Sequence, residues 1–203
     1  MYIGLFSESE NHRSLIYRGL YRPVDFIDYL ECGNDELADA ILSYFNNSKE
    51  GLYTEYSEQS LAQLKILSEL LVSEGWRGDL LLFTDNQNTA IPEGFCFLGY
   101  DIFALDFYGS PIGEGLMNYD EDYEIFPEWD SNSITTYIRN LNCYGLFDNY
   151  SIAQNFSEYF HRINQKYPDC IEASAHWRPY AVYAMSPMSQ GTELCRTGEG
   201  PMS

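Results

Sequence analysis

Apolar residues recur along this chain with two distinct periods, and the period assigns the element. Leu37, Ala40, Ile41, Tyr44 and Phe45 fall at i, i+3, i+4, i+7 and i+8, the spacing of one helix face. Asn34 precedes them as an N-cap, with Asp35 and Glu36 in the first turn, where the helix dipole favours carboxylates. A second helix is expected from near Ser57 on the stripe Leu61, Leu64, Leu67, Leu70 and Leu71, with Gly75 as its stop. A third and shorter helix follows Ser133 with Ile134, Tyr137, Ile138 and Leu141 and ends near Gly145. A fourth runs from about Asn149 to Lys166 and turns Ile152, Phe156, Tyr159, Phe160 and Ile163 to one side.

Strands are expected at Tyr2–Phe6, Gly78–Thr84, Phe95–Asp101 with an extension toward Leu105, and Tyr180–Met185. The run Leu80–Phe83 is apolar at every position, which suits a central strand covered on two faces. Phe95, Phe97 and Gly99 alternate less cleanly, and Ser14–Tyr21 fits strand or helix equally. Strands interleave with helices, so the expected class is α/β or α+β: a mixed sheet of about four or more strands packed with about four helices. Residues 1–185 are read as one globular domain. From 186 to 203 the composition turns to Ser, Gly, Pro and Thr with no apolar period, which predicts a flexible tail.

Charge changes this picture. The chain has 203 residues and a formal net charge of −20. From Gly78 to Ile138 there are twelve Asp or Glu residues and no Lys, Arg or His. The densest part, Tyr119–Asp130, alternates six carboxylates with Tyr119, Tyr123, Phe126 and Trp129. Carboxylates attract a cationic partner at long range and aromatic side chains supply contact energy at short range. Asp120, Glu121, Asp122, Tyr123, Glu124, Glu128, Trp129 and Asp130 are therefore the expected partner-binding residues. Direct nucleic-acid binding is disfavoured, because neutralising phosphate takes Lys and Arg clusters. Hydrophobic residues at 45% argue against disorder, and 18 Tyr with 12 Phe predict a core and surface rich in rings.

Motifs for chemistry fail one by one. Asp120, Asp122 and Glu124 occupy positions 1, 3 and 5 of an EF-hand loop, but Ile125 stands where the turn needs Gly and Ser131 where a bidentate Glu is required. His12, His161 and His176 are far apart, and Cys32, Cys96, Cys143, Cys170 and Cys195 form no C-x-x-C pair, so no metal and no cofactor is expected. Reduced thiols are the expected state, in a cytoplasmic protein with neither a leader nor an apolar run of membrane-spanning length. No G-x-S-x-G or phosphate-loop glycine spacing occurs.

Two resemblances bear on function. Ile91–Ile102, with the phrase Phe95-Cys-Phe-Leu-Gly-Tyr-Asp-Ile102, followed by Leu141–Asp148 and an aromatic helix, resembles a family of small acidic bacterial proteins encoded beside polymorphic toxins and taken to be their immunity proteins. The resemblance implies a non-enzymatic inhibitor that binds one cognate toxin, with the acidity pointing to a basic one such as a nuclease. A phage-type acidic mimic of nucleic acid is the alternative binder. Tyr17-Arg18-Gly19 looks like the aromatic-Arg-Gly strand of ADP-ribosyltransferases, which is the enzyme alternative; Glu8-Ser9-Glu10 has the E-x-E pattern of that family but lies upstream rather than downstream.

Overall fold

The computed structural model describes residues 1–7, 22–24, 26–30, 33–47, 53–104, 131–166 and 176–185. The elements are β1 (Tyr2–Ser7), β2 (Arg22–Pro23), a 3-10 turn (Phe26–Tyr29), α1 (Asp35–Asn47), β3 (Tyr53–Glu55), α2 (Glu58–Ser73), β4 (Gly78–Thr84), β5 (Phe95–Phe103), α3 (Ser131–Ile138), α4 (Tyr150–Asn164) and β6 (Arg178–Met185). They form an α+β arrangement around one six-stranded sheet of order β2-β1-β4-β6-β5, with β3 also paired to β1.

Every ladder in it is antiparallel, where a mixed sheet was expected. The reason lies in β6. Strands β4 and β5 run in the same direction, but the later strand inserts between them and pairs antiparallel with both. The central-strand expectation holds: all seven residues of β4 are buried between β1 and β6.

The caps explain where the helices begin. Leu37 N donates to Asn34 Oδ1 at 3.0 Å, starting α1 as its sequence predicts. Ser57 and Ser60 form a reciprocal capping box at α2, and Asn149 Oδ1 accepts from Ser151 N at 2.8 Å at the head of α4. Helix α3 starts three residues earlier than the Ser133 cap implied and stops at Ile138, so Leu141 lies beyond it.

Register sorts the core. Residues paired across a ladder project from the same face. Ile3, Leu5, Leu80 and Leu82 thus share one face with Tyr183, Tyr100 and Ile102. On that face α1 and α2 bury Leu37, Ile41, Tyr44, Leu64, Leu67 and Leu71 against β1 and β4. Further along it, α4 packs on β5 and β6 with Phe156, Phe160 and Trp177, joined by Ile134 of α3. The opposite face gathers Tyr2, Phe6, Tyr53, Phe83, Phe103 and Tyr180 into one cluster of edge-to-face rings, Phe83 meeting Tyr53 and Phe103 each at 5.5 Å. Part of the tyrosine load is therefore core.

Candidate partner-binding surface

The uneven alternation in β5 is a bulge. Phe97 pairs with Tyr183 and Gly99 with Val182, so Leu98 is an extra residue. In a regular strand, residues 97 and 100 would point to opposite faces. The extra residue moves Tyr100 to the face of Phe97, and their rings meet at 5.1 Å. Phe97 also contacts Tyr183 across the ladder at 5.4 Å, and Tyr100 reaches Tyr150, the first residue of α4, at 5.5 Å. A continuous strip of four rings results, and Phe97 in it is 46% exposed. Burial raises the Tyr183 phenol above its ordinary 10.0, with Tyr100 adding to the shift, so Tyr183 presents a neutral hydroxyl at physiological pH.

A tight turn holds the strip in place. Tyr100 N donates to Phe147 O at 2.7 Å and Phe147 N to Tyr100 O at 3.0 Å, closing the outer edge of β5 at that residue. Asn142 pins the turn with its whole amide: Nδ2 donates to Leu98 O and to Asp148 Oδ1, both at 2.7 Å, while Oδ1 accepts from Tyr144 N and Leu146 N. Gly99 makes the approach possible. Its φ of +147° is a glycine conformation, and a Cβ there would sit 2.7 Å from Leu146 Cβ.

Among the described residues, exposed carboxylates outnumber exposed cations. Asp35, Glu36, Asp39, Glu69 and Glu93 are exposed and meet no cation among the described residues. Arg178 is engaged with Asp85 at 3.1 Å, and the Arg162 guanidinium lies over the Tyr159 ring at 5.6 Å. Such a surface keeps an uncompensated negative field.

All eight expected binding residues, Asp120, Glu121, Asp122, Tyr123, Glu124, Glu128, Trp129 and Asp130, lie outside the described residues, as do Arg18, Glu8 and Glu10. The segment that carries the eight leaves from the end of β5 and rejoins the chain at α3. Ala104 on one side and Ile134 on the other belong to the same buried cluster. The ring strip was missed by sequence reasoning. Its available signal was the broken alternation at Phe95, Phe97 and Gly99.

Cys96 is a free, exposed thiol, whereas Cys143 is disulfide-bonded, against the expectation of reduced cysteines throughout. His161 Nε2 shares a hydrogen bond with Gln165 Nε2 at 3.0 Å, and no group of three or more metal-ligating side chains occurs among the described residues. No described helix is long and apolar enough to cross a membrane. Compared with known proteins, the chain matches no family model, no curated protein and no solved structure.

Proposed function

We propose that this protein is an immunity-type inhibitor that binds and neutralises one cognate bacterial toxin with a basic surface, a nuclease being the kind of toxin its acidity suits. The observation that carries the reading is the presence, on one fold, of a ring strip with Phe97 exposed and of exposed carboxylates that have no cationic partner among the described residues. Aromatic side chains held rigidly by packing lose little entropy when a partner covers them, which makes them effective contact residues. The field of the carboxylates speeds encounter with a cationic partner and repels nucleic acid itself.

In this reading Asp120, Glu121, Asp122, Glu124, Glu128 and Asp130 supply field, while Tyr123 and Trp129 supply contact energy. The protein acts without catalysis, metal or cofactor, in the cytoplasm where such a toxin would strike its own producer. Co-expression with the toxin encoded beside it tests the proposal. Growth should be restored against that toxin and not against unrelated ones, and the two chains should co-purify as a complex that salt weakens. Protection without a complex, or equal protection against every toxin, would overturn it.

A further inference from the structure

Helices α3 and α4 leave an open pocket of about 390 Å³ between them. That volume falls in the roughly 300–1,000 Å³ range of small-molecule sites. Asn132 and Thr136 lie one turn apart on α3, with Asn140 one turn beyond, so all three present the same side; Asn155 and Ile152 face them from α4.

The hydrogen-bonding groups there are only partly spent. Thr136 Oγ1 donates to Asn132 O at 2.8 Å, which leaves its lone pairs to accept. Asn140 Nδ2 donates to Thr136 O at 2.7 Å, which leaves Oδ1 to accept. The side-chain amides of Asn132 and Asn155 make no hydrogen bond among the described residues, so each offers a carbonyl acceptor and two N–H donors. Tyr137 contributes a phenol that burial keeps neutral.

In a chain of net charge −20, no carboxylate and no cation lines this pocket among the described residues, and Arg162 and Glu158 act on Tyr137 with opposite sign. A cationic ligand would find no carboxylate among the described lining residues and Glu158 opposed by Arg162, while an anionic one would meet the repulsion of the whole molecule. What fits is an uncharged ligand with closely spaced groups that both donate and accept, and a C–H surface to lay against Ile152. Vicinal hydroxyls on a sugar ring have this character: a planar amide bonds one with its carbonyl and the next with its N–H. We propose that the α3–α4 pocket binds a neutral saccharide through the amides of Asn132, Asn140 and Asn155.

The test uses the full-length protein, labelled with 15N and titrated with glucose, N-acetylglucosamine and maltose to about 50 mM, well past the millimolar affinity that a few exposed hydrogen bonds provide. Glucuronate, glucosamine, adenosine and uridine serve as comparison ligands. At least one neutral sugar should shift the Asn132 and Asn155 side-chain amide signals saturably, and the charged sugars should not. Asn132 and Asn155 are exposed, so the double variant Asn132→Ala/Asn155→Ala should melt as the wild type does while losing affinity by about tenfold or more. The proposal falls if no neutral sugar gives a saturable shift, if the double variant binds as well as wild type, or if a nucleoside binds more tightly than every sugar. None of these results depends on a toxin, so they leave the inhibitor reading to its own test.

Discussion

Gly99→Ala should destabilise this protein by about 2–6 kcal/mol, through two effects that add at one atom. At φ +147° an L-residue is strained, which costs on the order of 1–3 kcal/mol. The new methyl would also stand 2.7 Å from Leu146 Cβ, 3.0 Å from Asn142 Nδ2 and 3.1 Å from Phe147 O. Forcing a methyl into a filled site costs typically 1–3 kcal/mol. Relief requires the turn to retreat, which lengthens the paired bonds between Tyr100 and Phe147 and lifts Asn142 from Leu98 O. Gly94→Ala is the control, since Gly94 has φ +90° with nothing within 4 Å of the added carbon. It carries the backbone penalty alone, about 1–2 kcal/mol. Urea unfolding followed by tryptophan fluorescence gives both numbers, with unchanged m values showing that the unfolded states compare. In a thermal melt the Gly99 variant should lose about 5–15 °C. Equal costs for the two variants would show that the turn does not press on β5 as described, and a Gly99→Ala cost below about 0.5 kcal/mol would refute the crowding argument altogether.

Phe97→Ala should leave stability within about 1 kcal/mol of wild type but weaken toxin binding by about 2 kcal/mol or more, whereas Trp177→Ala, buried against Phe160 at 5.4 Å, should lose about 3–5 kcal/mol of stability before any partner is added; calorimetric titration and melts on both variants separate contact from core. Replacing Asp120, Glu121, Asp122 and Glu124 by their amides should slow association and flatten its salt dependence in stopped-flow measurements, and an unchanged rate at low salt would remove these residues from the site. The Tyr183 pKa is raised in the fold, so the stability linked to its neutral phenol is fully present below the ordinary 10.0 and is lost as pH climbs through the folded value. Between about pH 8 and pH 11, wild type should therefore lose more urea resistance than Tyr183→Phe, and parallel losses would contradict the burial of that hydroxyl. Native alkylation should label Cys96 at once and leave Cys143 untouched until reductant is added. If cells alkylated before lysis show Cys143 labelled as a thiol, the cytoplasmic assignment gains, because a disulfide persists chiefly in oxidising compartments.

Helices α1, α2 and α4 were legible because each carries a full apolar stripe with a capping residue at its start: Asn34, Ser57 and Asn149 mark boundaries that the backbone then keeps, whereas α3 begins ahead of its expected Ser133 cap. Strand β4 was legible for the opposite reason, an unbroken apolar run that suits burial on both sides. Strands β2 and β3 were not, since two or three residues carry no period, and the pairing of each is decided by β1 beside it. The position of β6 was hidden too. Composition marks Tyr180–Met185 as a strand but does not say that it enters between β4 and β5 and thereby makes the sheet antiparallel. The acidic segment announced itself in the charge count, while the ring strip depended on a bulge and on a cross-strand partner from the far end of the chain.

The difference in legibility follows from the range of the forces. A field of many carboxylates acts over the Debye length, about 8 Å at physiological ionic strength, and depends weakly on where any one of them sits, so a sequence count measures it well. Ring contact energy vanishes within one atomic layer and depends on which face each side chain takes. That choice is made here by one inserted residue, Leu98, which turns Tyr100 toward Phe97 and, by way of Gly99, admits the turn that holds it. A family of inhibitors built on such a strand would be able to exchange contact residues on the strip freely while keeping its charge. Speed of capture and choice of partner then become separately adjustable, the first set by the number of carboxylates and the second by the side chains that the bulge brings together.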